Sequence, residues 1–292
     1  MELDFTGEQE DLREAIRAVL GNEAPITLAR RVIETGARPT ELWATFVELG
    51  WPALTVPEAE GGVGLGAVEA AILAEELGRT VTPGPLLPTV TQFVPAVREC
   101  GTAAQQARWL GAVADGTCSG TLAVAEATGS FDPAECTASM QIDRDRVRLS
   151  GSKRFVIEGD AVDEVVVVVH DGAVVVPAAA IAWEPVRAID GSRRVAHAPL
   201  DGVEVSADRV LGGVSEAALR RAIEESTVAL ALEMVGTAQS VFDVSLEYAK
   251  QRRQFGVPIG SFQAIKHKFA DMLIALERAR ATGYFAALTI AE

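Results

Sequence analysis

The sequence of 292 residues predicts an α+β protein in which a helical domain, a small β domain and a second helical domain follow one another along the chain. Three observations lead there. Apolar residues recur with helical period through residues 1–116, short β-branched runs bounded by turns occupy residues 117–213, and the helical period returns over residues 214–292. Segregated blocks of this kind do not make the strand-helix alternation of a doubly wound nucleotide-binding sheet. No Gly-x-Gly-x-x-Gly follows a strand, and Gly61-Gly62-Val63-Gly64-Leu65-Gly66 comes after a Pro-rich turn and reads as a loop.

The first helix is predicted from a capping box, Thr6-Gly7-Glu8-Gln9, followed by Leu12, Ile16, Val19 and Leu20 on one face. Helical patterns reappear over residues 40–49 and 68–77, separated by Gly/Pro-rich turns. Strands are expected at 121–125, 146–149, 164–169 and 173–176, where Val and other strand formers cluster. Two long helices are expected at 217–250 and 261–291, parted by the break from Gly256 to Gly260.

With 49% hydrophobic residues the chain can bury a sizeable core, and its length suits about two packed units. A net charge of −15, from 41 acidic against 26 basic residues, argues against a nucleic-acid surface, which needs clustered Lys and Arg. Cys100, Cys118 and Cys136 form no Cys-x-x-Cys pair and adjoin no histidine cluster, so they are expected to be reduced and partly buried. His170, His197 and His267 stand alone, and no metal is implied. Met1-Glu2-Leu3-Asp4-Phe5 runs straight into the first helix without a leader, and no apolar stretch of membrane-spanning length follows. A cytoplasmic protein is the expectation.

Five separated motifs resemble, in order, those of the flavin-dependent acyl-CoA dehydrogenases. They are Leu3-Asp4-Phe5-Thr6-Gly7-Glu8-Gln9; Glu48-Leu49-Gly50-Trp51-Pro52 with Pro57-Glu58 and Gly61-Gly62; Val124-Ala125-Glu126-Ala127-Thr128-Gly129-Ser130; Leu149-Ser150-Gly151-Ser152-Lys153-Arg154-Phe155-Val156-Ile157; and Tyr248-Ala-Lys-Gln-Arg-Arg-Gln-Phe-Gly256 with Gln263. The resemblance implies an N-terminal helical domain, a central β domain and a C-terminal four-helix-type bundle, incomplete here. It also implies α,β-dehydrogenation of an acyl-CoA, with FAD as cofactor and an electron-transfer flavoprotein as acceptor. The degradation of fatty acids or steroid-like CoA esters is the implied setting.

Carried over residue by residue, Arg252, Phe255 and Gln263 match positions that hold the ADP half of a neighbouring subunit's FAD. A guanidinium suits that role because it pairs bidentately with pyrophosphate oxygens. The alternative is a solvated basic helix end, with Lys250, Arg252 and Arg253 complementing the helix dipole. Val124, Ala125, Glu126, Gly129 and Ser130 match the flavin-binding loop, through backbone N–H groups. Phe155, Val156 and Ile157 match the strand behind the flavin ring, but Ile157 stands where the family has a hydroxyl, and Phe131 where it has an aspartate.

The catalytic base is not evident. The helix position used by a minority of the family holds Ser226, and Thr227 replaces an arginine beside it. Glu225 is the candidate base within this chain, although one residue is about 100° around a helix, so it aims away from Ser226's direction unless the register slips. Glu224 adjoins it, and Glu233 sits in an apolar run where either a raised pKa or an ion pair is possible. Two readings accept the same fold: a dehydrogenase subunit, or a non-catalytic partner lending FAD-contacting and interface helices to a complete subunit. A homo- or hetero-oligomer is expected on both, because the last two helices leave apolar faces for another subunit to cover, unless the chain is a truncated one whose further helices cover them.

Overall fold

The computed structural model describes residues 5–291. The helical first block comprises α1 (Gly7–Glu23), α2 (Ile26–Thr35), α3 (Thr40–Glu48), α4 (Ala67–Arg79), the single turn α5 (Leu86–Pro88), α6 (Val94–Cys100) and α7 (Ala103–Ala114). A π-helical turn, Thr89–Phe93, joins α5 to α6. The capping box of α1 is present: Gln9 N donates to Thr6 Oγ1 at 3.2 Å and Thr6 N donates to Gln9 Oε1 at 3.0 Å.

The middle block holds β1 (Gly120–Ala123), β2 (Ser139–Asp143), β3 (Arg146–Ser150), β4 (Ser152–Ile157), β5 (Glu164–Val169), β6 (Gly172–Pro177), β7 (Glu184–Val186), β8 (Val195–Pro199) and β9 (Glu204–Ser206). They form three three-stranded sheets in the orders β1-β5-β6, β2-β3-β9 and β4-β8-β7. Strand β1 runs parallel to β5, in register from Gly120 opposite Glu164, and the other pairings are antiparallel. The all-Val stretch of β5 is buried on both faces, which explains why it lacks strand alternation.

The last block is α8 (Glu216–Gln251), a hairpin of β10 (Arg253–Gln254) and β11 (Val257–Pro258), and α9 (Gln263–Ala291). Helix α8 ties the blocks together. Its N-terminal turns, at Leu219 and Ala222, complete the core of the sheets, while Ala229, Leu232 and Val235 belong to the core of the first helices. Against α4 it packs backbone to backbone. A Cβ on Gly78 would lie 2.0 Å from the Glu233 carbonyl oxygen, and one on Gly236 would lie 1.9 Å from that of Glu75. Thr237 Oγ1 reaches across to donate to the Gly78 carbonyl at 3.0 Å.

Several expectations are refined. The run expected to be a strand at 121–125 leaves the ladder at Ala123, freeing Val124 and Ala125 to begin a loop. The motif spanning residues 149–157 is two strands, broken at Gly151, whose φ of 109° needs glycine. The three cysteines, expected to be partly buried, are buried, Cys100 completely, and burial pushes the Cys100 and Cys118 thiols up to about 12. The first residues of the opening motif, Leu3 and Asp4, and the reading of Met1 to Asp4 as leaderless, lie outside the described residues. Among the described residues no helix is long and apolar enough to cross a membrane, and no cluster of metal ligands occurs.

The α4–α8 contact leaves no room for a side chain, so Gly236→Ala is expected to destabilise the protein by about 1–3 kcal/mol through overpacking. Thermal denaturation should show a fall in Tm on the order of several degrees, and an unchanged Tm would mean the helices can part freely.

Candidate functional site

Where the sheets meet α8 there is a cleft of about 330 Å³. One wall comes from the β block: Leu122 and Val124 at the end of β1, and Phe155 and Ile157 on β4. The other is a stripe of α8, Ile223, Ser226, Thr227, Leu230, Ala231 and Met234, spaced as one helix face. Phe131 lies at the rim and Gln92, from the π-helical turn, at the buried end.

The β wall is shaped by backbone strain. Pairing of β4 with β8 shifts register between Lys153 and Val156, and within that bulge Phe155 takes a φ of 56°, unusual for an aromatic residue. Its ring is left 52% exposed over the cleft, edge-on to His197 with centroids 5.2 Å apart.

Behind the loop that follows β1 is a buried charge cluster. Glu126 accepts from Lys153 Nζ at 2.8 Å, Thr137 N at 3.0 Å, Ala138 N at 2.8 Å and the Cys136 thiol at 3.1 Å, as well as from the Thr137 hydroxyl. Lys153 is wholly buried and also donates to the Val124 carbonyl at 3.0 Å and to Cys136 Sγ at 3.0 Å. Burial on its own would raise the Glu126 pKa. The hydrogen bonds, from Lys153 first, outweigh it and hold the carboxyl well below the usual carboxylate range.

Of the residues expected to bind cofactor, the cleft brings together Val124, Phe155 and Ile157. Ala125 and Val156 are buried, and their side chains do not line it. The Glu126 side chain turns inward to Lys153, so that residue can offer only backbone groups to a ligand, while the N–H groups of Gly129 and Ser130 donate within the loop, to the Glu126 carbonyl and Thr128 Oγ1. Arg252, Phe255 and Gln263 stand apart and exposed around the β10–β11 hairpin, about 39 Å along α8 from Ser226. Phe255 is 92% exposed with a φ of 53°.

The acids of α8 lie elsewhere. Ser226 lines the cleft, but Glu225 points to the opposite side and pairs with Arg98, in a separate small pocket with Ala67 and Val90. Glu224 is exposed, and Glu233 pairs with Arg193 from the loop before β8. Among the described residues no carboxylate lines the cleft.

The family description "Acyl-CoA dehydrogenase, N-terminal domain" matches residues 6–117, and "Acyl-CoA dehydrogenase, C-terminal domain" matches residues 213–292. The chain belongs to the acyl-CoA dehydrogenase family. It is 30% identical over 276 residues to acyl-CoA dehydrogenase IpdE2 of Mycobacterium tuberculosis, covering 94% of this chain and 74% of that protein. A solved steroid ACAD variant is 32% identical with a TM-score of 0.84, over 96% of this chain and 76% of that one. Butyryl-CoA dehydrogenase from Megasphaera elsdenii, 23% identical, shares the fold with a TM-score of 0.88 over 100% of this chain and 81% of that one. Membership makes this chain part of a group of flavoprotein oxidoreductases that act on CH–CH donors.

Two features in and behind this cleft escape the sequence. Lys153 lies between Ser152 and Arg154 in a strand and reads there as a solvated basic residue, whereas it is wholly buried. Gln92 sits in a π-helical turn, whose extra residue defeats helical spacing.

Replacing Glu126 by Gln leaves the Lys153 charge buried without its anion and is expected to cost about 3–5 kcal/mol at neutral pH. Because the native pKa of Glu126 is depressed, its stabilisation is complete above the unfolded-state value and is lost as pH falls toward the native one. Denaturant unfolding should give a gap between wild type and variant that is level above about pH 5 and narrows below about pH 4. A gap that widens with acid would contradict the assignment.

Proposed function

We propose that this chain is a subunit of an FAD-dependent acyl-CoA dehydrogenase, introducing an α,β double bond into an acyl-CoA thioester. The observation that supports this best is the cleft, where Val124, Phe155 and Ile157 from the sheets face Ser226 on α8 across an almost wholly apolar gap. Such walls fit a planar ring system and an acyl chain lying side by side. The exposed Arg252 and Gln263 suit the diphosphate and adenine end. When bound, FAD supplies the acceptor for the hydride that leaves the β carbon.

The chain's own residues position and exclude water. Phe155, Ile157 and Met234 dry the slot, so that reacting atoms meet without competing solvent. Backbone N–H groups of residues 124–126 hold the ring edge, on a loop fixed from behind by Glu126 and Lys153, whereas the N–H groups of Gly129 and Ser130 donate within that loop, to the Glu126 carbonyl at 2.9 Å and Thr128 Oγ1 at 3.4 Å. The Ser226 hydroxyl can bind a carbonyl oxygen, but it is no base for an α proton. The carboxylate that removes that proton is therefore assigned to another subunit or to a segment outside the described residues. An electron-transfer flavoprotein is the proposed electron acceptor.

A second reading, a non-catalytic partner of a complete dehydrogenase subunit, is favoured by the same missing carboxylate. Partner surface is available on both readings. An apolar groove of about 1010 Å³ runs between α8 and α9, past Val228, Val241, Phe242 and Met272. Val244, Ile274 and Phe285 are more than half exposed on the same helices.

Flavin absorbance and native mass, measured on the chain alone and after co-expression with a complete dehydrogenase subunit, separate the readings: flavin bound alone favours a self-sufficient cofactor site, and flavin only in the mixed assembly favours the partner. In either, Arg252→Ala should weaken FAD retention about 10–100-fold, the worth of a charge-assisted hydrogen bond. Unchanged retention would remove Arg252 from the site. Glu225→Gln should leave dye-coupled turnover of the assembly within about twofold, since its carboxylate serves Arg98. A collapse of turnover with unchanged Tm would restore Glu225 as the base.

A further inference from the structure

The buried end of the cleft carries a hydrogen-bond donor that the dehydrogenation itself does not use. Gln92 is 5% exposed and comes from the π-helical turn, Thr89–Phe93, whose backbone is fixed on both sides. Thr89 Oγ1 donates to the Pro85 carbonyl at 2.7 Å and accepts from Gly120 N at 3.0 Å, and Thr91 Oγ1 donates to the Leu87 carbonyl at 2.7 Å. The amide of Gln92 is oriented in turn: its Oε1 accepts from the wholly buried Thr121 hydroxyl on β1, at 2.9 Å. With the oxygen engaged, the amide nitrogen is the free end, and among the described residues it donates to no protein acceptor. The surrounding walls, Leu122, Ile157, Ile223 and Leu230, offer none.

Resting on the acyl-CoA reading above, we infer that the cleft selects an acyl group carrying a neutral oxygen acceptor, a ketone or comparable carbonyl, on the part that reaches its inner end. Gln92 is then a specificity-determining residue. A donor facing an apolar cleft favours a ligand that brings an acceptor and disfavours a plain hydrocarbon, which would displace water from the donor and leave it unpaired. The acceptor is neutral because no Arg or Lys lines the cleft, and a carboxylate buried there would have one amide to replace its hydration. The length of the acyl group is set by where its oxygen meets Gln92.

The test compares acyl-CoAs matched in length, from hexanoyl to decanoyl, in three forms: saturated, bearing a ketone on the penultimate carbon, and bearing a terminal carboxylate. Dissociation constants are measured on the flavin-loaded assembly by calorimetry. At the matching length the ketone should bind about 3–10-fold tighter than its saturated parent, the worth of one buried hydrogen bond, and the dicarboxylate weaker than both. Gln92→Met, similar in volume, should abolish the ketone preference, with the saturated parent bound tighter than by the wild-type assembly because no donor is left unpaired. Gln92→Leu, which removes the donor without introducing an ionisable group, should abolish the preference as well. A ketone preference that survives both substitutions, or equal binding of ketone and parent by the wild-type assembly, overturns the inference and leaves the acyl-CoA reading standing. Failure of every acyl-CoA to bind overturns that reading, and this one with it.

Discussion

The reciprocal glycine contact between α4 and α8 fixes the geometry on which the cleft depends. Helix α8 is 36 residues long and passes through both hydrophobic cores. Hydrophobic contact alone tolerates rolling or sliding of such a helix, because apolar burial is not directional. A Gly78–Glu233 and Gly236–Glu75 backbone contact is intolerant of either motion, and the Thr237 hydroxyl adds a directional bond to Gly78. Ser226 lies about 15 Å from Gly236 on the same rigid rod, so rotation fixed at one point is fixed at the other. One residue of slip would turn the helix by about 100° and exchange Ser226 for a neighbour at the cleft.

Helix α4 plays this part because it is buried on nearly every side, and its two consecutive buried acids explain how it is held. Glu76 takes a bidentate pair from Arg17 on α1, at 2.9 and 2.6 Å. Glu75 accepts from Arg280 Nε at 2.8 Å and from the Tyr284 hydroxyl at 2.7 Å, both on α9. Buried carboxylates contribute little net stability even when paired, since desolvation offsets much of the attraction. Their effect is geometric: α1 and α9 are each tied to α4 by directional bonds. The acidity of the whole chain is thus partly an internal matter and not only a property of its surface.

The order of the three blocks was legible because it rests on periodicity over long windows, and α3, α4, β5, α8 and α9 fall within a few residues of where spacing places them. The capping box at Thr6 was legible from four residues because its chemistry is local. Strands β2, β7 and β9 were not, since exposed three- to five-residue segments carry no apolar alternation to read. At the cleft, the outward turn of Glu225 follows from helical geometry alone. The Lys153–Glu126 pair does not, because it joins residues 27 apart across a strand and a loop, and neither does the left-handed Phe155, whose conformation depends on a bulge against β8.

The length of α8 bears on assembly. The exposed arm around Arg252 and Phe255 and the cleft at Ser226 sit near opposite ends of one continuous helix, about 39 Å apart. A straight helix cannot fold its end back, so on the proposed reading an arm and a cleft that serve the same FAD belong to different chains. Each cofactor would then bridge two subunits, and its binding energy would be shared between holding flavin and holding the oligomer. By mass action, a ligand that binds only the assembled state stabilises that state in proportion to the logarithm of its concentration over its Kd. The 92% exposed Phe255 and the open α8–α9 groove are costly in an isolated chain and favourable once covered. Assembly and flavin retention would therefore rise and fall together, which gives the exposed arm a physical reason to keep its aromatic and guanidinium groups far from its own cleft.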